Sequence, residues 1–327
     1  MISLNELKNN KELISDKAYG ALGGLAIGDS LGDASRKPEN QMNYGFTTDF
    51  NQGASWSTDD TEFALLTAKI LIDTNGNPTS DDVADAWLRH VAVHDELNRG
   101  GVSEVEASNN LRQGLRPPLT GMYNTYHMSD GAVMRISPIG IVCAGDPSKA
   151  AHLAKIDASV SHDKDGLWGA QAVAAAVAVA MVSGTMEEII EAAMMQIPSD
   201  SWLHYAMNLA FDIVDKADGS LIDAWMPLHD KLRTTYKATT AEALPSVFAC
   251  LKMVNEDFRT GLITACNFGR DADTIGAVAG AILGAKYGAS GIPDKWLEKT
   301  RYPTGTCLQF TKGLDIKDVA NKLAELI

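Results

Sequence analysis

GALGGLAIGDSLG, residues 20–32, and GAVAGAILGAKYG, residues 276–288, decide the fold. Gly20, Gly24, Gly28 and Gly32 lie four apart in the first stretch, and Gly276, Gly280, Gly284 and Gly288 lie four apart in the second. Four residues are little more than one helical turn, so each set lines one face of a helix without side chains. Glycine costs roughly 1 kcal/mol per helix position relative to alanine, so two such stripes need a packing reason. Close approach of a neighbouring backbone supplies one. One reading is tight core packing alone. A sharper one is that the stripes bring the ends of the two helices, with their aspartates, to one place.

Helical periodicity continues outward from these stretches. Phe63, Leu66, Ile70 and Leu71 follow the i, i+3, i+7, i+8 pattern of a buried helical face. Further helices are expected over 83–93, 169–181, 186–195, 201–214, 246–254, 274–287 and 316–327. Period-2 alternation of β-branched and aromatic residues hardly occurs. Linkers are short, and breaks such as Arg116-Pro117-Pro118 and Gly291-Ile292-Pro293 read as turns. The expectation is a compact all-α fold, with a single domain spanning 1–327.

Composition bounds the function. The chain has 327 residues, with 28 Lys and Arg against 42 Asp and Glu, a formal charge of −14. Such an acidic surface disfavours phosphate-backbone contacts and anionic membranes. Hydrophobic residues reach 45%, which sets the chain apart from acidic disordered sequences. Its four cysteines, Cys143, Cys250, Cys266 and Cys307, form no CxxC pair and are expected as buried, reduced thiols. The first twenty residues alternate charge and carry no apolar core of a secretory signal. No apolar run approaches the roughly 18 residues of a membrane span; the longest, 172–182, suits a buried helix. A cytoplasmic location is expected.

Two clusters could carry chemistry. One is Ser57-Thr58-Asp59-Asp60-Thr61-Glu62, directly before the Phe63 pattern. The other is Gly269-Arg270-Asp271-Ala272-Asp273-Thr274, directly before Ile275. Ser, Thr and Asp are favoured helix N-caps, and early acids suit the helix dipole, so either cluster alone could be capping. Two of the same make also supply the oxygen donors that hard divalent cations take. Two such ions, held together, can orient a substrate and polarise a water. His90 and His94 have helical i, i+4 spacing, but Val91 stands where a zinc protease has Glu, and the pair is read as surface or partly buried. There is no dinucleotide fingerprint, GxSxG elbow or Cys–His pair.

Five motifs occur in a fixed order: Gly28-Asp29-Ser30-Leu31-Gly32, Ser57 to Thr61, Gly131-Ala132-Val133-Met134-Arg135-Ile136-Ser137-Pro138, Ser161-His162 and Arg270 to Thr274. Together with the glycine-rich last helix they resemble the ADP-ribosylglycohydrolases, from about residue 16 to about residue 300. The resemblance implies an all-helical domain with a dinuclear Mg²⁺ or Mn²⁺ centre held by Thr58, Asp59, Asp60, Asp271, Asp273 and Thr274. It implies hydrolysis at the anomeric carbon of a ribose, with the ribose hydroxyls on the metals. Gly131 and Ala132 would contact ribose or phosphates, His162 would line the pocket, and Gly100 and Gly101 fall where relatives carry a substrate loop. Asp59 or Asp60 is the expected proton acceptor from the attacking water.

Departures from the pattern bear on the substrate. Many relatives have a Glu shortly after the first motif, at a position close to Arg36; here Glu39 comes late and Asp33 is another stand-in. Gly269-Arg270-Asp271 replaces Gly-Gly-Asp, and Asp130 precedes Gly131 where Asn is common. Arg270 could bind a phosphate or a small substrate group, or cap a neighbouring carboxylate. The expected substrate is an ADP-ribosylated protein side chain, arginine or serine, with a small nucleoside-like ribosyl metabolite as the alternative. A non-catalytic binding protein on the same fold would have broken ligand clusters, whereas all six ligand positions are filled.

Overall fold

The computed structural model describes residues 2, 4–50, 55–94 and 96–327. Within these the chain is helical, and β pairing is limited to one isolated antiparallel bridge, Ser129 with Thr239. The centre of the fold is the packing of helix Lys11–Ser35 against helix Ala272–Tyr287. The glycine stripes face each other in antiparallel order, Gly20 on Gly284, Gly24 on Gly280 and Gly28 on Gly276. Gly32 continues the series onto Ala272. A Cβ built at any of these glycines of the first helix would fall within 3.0 Å of the facing carbonyl oxygen. Backbone lies on backbone along the whole face, and the reason for the glycine spacing is this contact.

The antiparallel order has a direct consequence. It sets the C-terminal end of the first helix beside the N-terminal start of the second. Arg36 therefore meets Asp271 and Asp273 across the sequence. Lys17 closes the other end, where its buried ammonium donates to the carbonyls of Ala285 and Lys286, at 2.9 Å each. Those are last-turn carbonyls, which a cation complements.

Alanine-rich helix Lys164–Met181 is buried in the main core along most of its length. A smaller apolar cluster gathers Phe63, Trp87, Leu111 and Leu308 at one side. The four cysteines are buried and unpaired. Among the described residues no helix is long and apolar enough to cross a membrane.

Several boundaries differ from the sequence expectation. The helix expected from Ser246 starts at Thr240 and carries Pro245 inside it. The helix expected to run to Val93 stops at His90, so His94 lies in the turn beyond it and the two histidines share no helical face. His90 instead packs against the Phe310 ring, with centroids 4.6 Å apart. Helices Val102–Arg112, Pro147–Ala158, Leu221–Leu232 and Phe258–Cys266 were not expected.

Candidate active site

Asp29 builds the first half of the site. Fully buried on the Lys11–Ser35 helix, it holds the start of helix Asp59–Asp73. Its Oδ2 accepts from the Thr58 and Thr61 amides at 2.9 and 3.2 Å, and also from the Thr61 hydroxyl. Its Oδ1 accepts from the Thr58 hydroxyl at 2.6 Å. A carboxylate at a helix N-terminus is favoured by the unpaired amides and the dipole. Burial pushes the Asp29 carboxyl up to about 6; the Thr58 and Thr61 bonds oppose that rise and the Asp33 charge adds to it.

Asp33, one turn on, is a hub of cations. Arg36 donates to its Oδ1 from Nε and Nη2 at 3.1 and 2.8 Å, Arg99 from Nη2 at 2.7 Å, and the Trp56 indole donates to Oδ2 at 2.7 Å. Burial works to raise its pKa, but Arg99, Arg36 and Trp56 together hold it down at about 2. The second Arg36 branch crosses to the other glycine helix. Its Nη1 donates to Asp271 Oδ1 at 2.8 Å and to Asp273 Oδ1 at 2.5 Å. Lys237 also pairs with Asp271 Oδ1.

These groups surround a cleft of about 250 Å³. Its floor carries Asp59, Asp60, Asp271, Asp273 and Thr274; Gly100, Gly101 and Gly131 form a wall; Arg36, Arg99 and Lys237 stand on it as cations. Glu104 is buried in that wall, and a Cβ at Gly101 or Gly131 would strike its carboxylate. The glycines are thus required where the backbone closes over an acid. Asp60 Oδ1, Glu104 Oε1 and Asp130 Oδ2 are buried without a hydrogen-bond partner. Such atoms are costly unless a ligand or ion meets them.

Like charge dominates the electrostatics. Burial first, and then Asp273, push Asp59 and Asp60 well above the usual carboxylate range. Burial and the Asp271 charge raise Asp273 to about 8, against the pull of Arg36 and Lys237. Asp130 is raised by burial and by Asp271.

The residues singled out in the sequence divide into two groups. Asp59, Asp60, Asp271, Asp273, Thr274, Gly100, Gly101 and Gly131 line the cleft. Thr58 is fully buried behind Asp60, its hydroxyl 3.2 Å from Asp60 Oδ2. Ala132 is sealed in the core. His162 lies behind the wall, with Nε2 2.9 Å from Ser129 Oγ and Nδ1 2.7 Å from Ser161 Oγ. Burial, then the charges of Arg135 and His127, drop its pKa far below the ordinary histidine value. Arg270 turns away from the cleft to Glu242, at 2.5 Å from Nε and 3.0 Å from Nη2. Of its two open readings, the carboxylate contact is the one present. The Arg270 backbone has φ of +58°, a left-handed conformation that suits the Gly of the common pattern.

Arg99, Lys237 and Glu104 were not anticipated. Arg99 had a signal of sorts, since a charged residue directly precedes Gly100-Gly101. Lys237 sits in an irregular loop without a motif, and Glu104 reads in sequence as an ordinary acid in the first turn of a helix.

The family described as ADP-ribosylglycohydrolase matches this chain over residues 10–327. An ADP-ribosylarginine hydrolase, Tri1, of Pseudomonas putida (strain GB-1) is 28% identical over 88% of this chain and 75% of its own length. An ADP-ribosyl-[dinitrogen reductase] glycohydrolase of Rhodospirillum rubrum is 25% identical over 88% of this chain and 90% of its own. A solved structure of an ADP-ribosylglycohydrolase-related protein complex superposes with a TM-score of 0.68 at 22% identity. That superposition covers 96% of this chain and 99% of the other and speaks to the fold. With the family matched over nearly its whole length and the relatives named as a hydrolase and a glycohydrolase, this all-α chain belongs to the ADP-ribosylglycohydrolase family of hydrolases.

Proposed function

We propose that the chain is a divalent-metal-dependent hydrolase that cleaves the glycosidic bond at the anomeric carbon of a ribose in an ADP-ribosylated substrate. The observation that carries this reading is the meeting of Asp59, Asp60, Asp271 and Asp273 in one cleft, with the buried Asp60 Oδ1 unpartnered. The donors fit the cation by chemistry. They are hard oxygens without Cys or His, as Mg²⁺ and Mn²⁺ take, and their mutual repulsion calls for a positive charge. Among the described residues no three acidic, His or Cys side chains already converge as a coordination shell. The reason is visible at Asp271 and Asp273, which are turned onto Arg36 and Lys237.

Asp59, Asp60, Asp271, Asp273 and Thr274 would hold the metal, with Thr58 behind them. When bound, such a cation supplies Lewis acidity and a template for the ribose hydroxyls and the attacking water. The rest falls to the chain. Asp59 or Asp60 takes the proton of that water, since both line the cleft. Asp29 fixes the helix start that carries both, by way of Thr58 and Thr61. Gly100, Gly101 and Gly131 bring backbone to the cleft wall, where the sugar would lie, over the buried Glu104. The surrounding carboxylates favour the positive charge that develops on the ribose in an oxocarbenium-like transition state.

The relatives' names point to ADP-ribose on a protein as the substrate, arginine-linked for Tri1. A small ribosyl metabolite draws no support from Arg270, which is engaged with Glu242. The test is release of ADP-ribose or ribose from ADP-ribosyl-arginine, ADP-ribosyl-serine and plain nucleosides, with Mg²⁺, Mn²⁺ or EDTA. Metal-dependent release from an ADP-ribosyl substrate is expected. Turnover that EDTA leaves untouched, or none on any substrate with either metal, defeats the reading.

A further inference from the structure

We infer that Arg36 is a built-in rival of the divalent cation at Asp271 and Asp273, so that the two halves of the metal centre differ in affinity. The inference rests on the metal-dependent reading above. The ion pairs of Arg36, Arg99 and Lys237 fall on Asp33, Asp271 and Asp273, and Arg135 lies 3.8 Å from Glu104 behind the wall. Among the described residues none reaches Asp59 or Asp60, whose Oδ1 has no partner at all. One half is open to a cation. The other must first release a guanidinium.

Three features make Arg36 the rival. Its place is fixed, because it caps the C-terminus of the glycine helix where Gly32 abuts Ala272. One Nη1 serves both metal-side carboxylates, while Nε and Nη2 stay on Asp33. The side chain can therefore yield Nη1 and remain tethered. Third, guanidinium does not deprotonate in proteins, so a rise in pH leaves its charge in place against an incoming cation. Lys237 is the weaker competitor: a single ammonium on a half-exposed stem that reaches Asp271 alone.

The experiment is calorimetric titration of EDTA-stripped full-length protein with Mn²⁺, for wild type, Arg36→Ala and Arg36→Lys. Wild type is expected to show one tight and one weak site. Arg36→Ala is expected to tighten the weak site by about tenfold or more, the size of effect that groups around metal ligands exert. Arg36→Lys keeps the charge but loses the fork and should fall between. Metal-free Arg36→Ala should also melt below wild type, with the deficit closed by Mn²⁺, because Asp271 and Asp273 lose their counter-charge. Two equal sites in wild type, or a weak site that Arg36→Ala leaves unchanged or weakens, overturns the rivalry alone. If Arg36→Ala does not fold, an Arg36→Lys protein with wild-type affinities overturns it equally. Absence of Mn²⁺ binding in every form overturns the metal reading with it.

Discussion

Asp59 and Asp60 open a helix that is gripped from behind, whereas Asp271 and Asp273 open one that is bridged from in front. Behind the first pair, Asp29 takes the amides and hydroxyls of Thr58 and Thr61, leaving the two carboxylates uncompensated. In front of the second pair, Arg36 and Lys237 supply positive charge. The two clusters share composition and a place at a helix start, yet one has no ion-pair partner among the described residues and the other is compensated. Identity of the capping residues thus says little about electrostatic state. What decides it is which helix end each start abuts. Only the second start abuts the end that carries Arg36.

The largest expected effect comes from breaking what holds the halves in register. Gly28→Ala drives a methyl into the Gly276 carbonyl and the Ala277 amide. Neither backbone can yield without moving the whole glycine face, so a loss of about 3 kcal/mol or more is expected, at the upper end of overpacking costs. Denaturant unfolding reads it, with Mn²⁺ titration reporting both halves. A Gly28→Ala protein of wild-type stability would show that the helices can separate without disturbing either acid pair.

Next in size is a contrast between the pairs themselves. Asp60→Asn should lower turnover by about 100-fold or more if Asp60 is the proton acceptor. It also removes one of several crowded like charges, so the metal-free protein should melt no lower than wild type. Asp271→Asn should do the reverse in stability, since it strips Arg36 and Lys237 of a shared partner. Thermal melts in EDTA separate the two. If both variants shift the midpoint in the same direction, the difference drawn between open and bridged halves is wrong.

The sequence carried part of this comparison. The glycine stripes were legible because glycine is penalised in helices, so its repeat at one spacing points to close backbone approach, although Gly288 proves to be a left-handed helix cap. The acid pairs were legible because they begin helices. Arg36 was visible only as a departure, since nothing local tells a reader that a residue after Ser35 touches Asp273; that depends on the antiparallel register. Glu104 was hidden because its burial comes from two glycines on different loops. Helices Val102–Arg112 and Pro147–Ala158 were missed for a related reason: their polar residues and short apolar faces give a weak period. The start at Thr240 was missed because Pro245 reads as a boundary, although a proline costs a helix only one hydrogen bond and a local clash.

A smaller effect tests the grip behind the first pair. Asp29→Asn keeps one acceptor but loses the charge and the second strong acceptor, so Thr58 and Thr61 are held less firmly. Affinity for Mn²⁺ at the tight site should fall by about tenfold, as is usual when a supporting group is altered. The weak site should change less, because the hydrogen bonds of Asp29 go to Thr58 and Thr61 and it acts on Asp273 only through its charge. Equal losses at both sites would mean that Asp29 acts on the centre as a whole.

The subtlest prediction concerns pH, and it pits Asp29 against Asp33 within one turn of helix. In the unfolded chain both titrate near 3.9. Folded Asp29 is raised to about 6, mainly by burial, so between about 4 and 6 the native state holds a proton that the unfolded chain has lost. Its contribution to stability is complete below about 4 and disappears as pH rises through about 6. Asp273, raised to about 8 by burial and Asp271, extends the decline upward. Asp33 runs the other way. Held at about 2 by Arg99, Arg36 and Trp56 against its burial, it stabilises above about 4 and loses that contribution as pH falls towards 2. Metal-free protein should therefore be most stable near pH 4 to 5 and melt at progressively lower temperature up to pH 8. Saturating Mn²⁺ should flatten the upper slope, because a cation beside the carboxylates removes the advantage of holding the proton. Melting curves from pH 4 to 8 with EDTA or Mn²⁺ read this directly. A metal-free midpoint that is level or rises over that range would mean that the arginines and Lys237 already neutralise the whole cluster, and the open half would not be open.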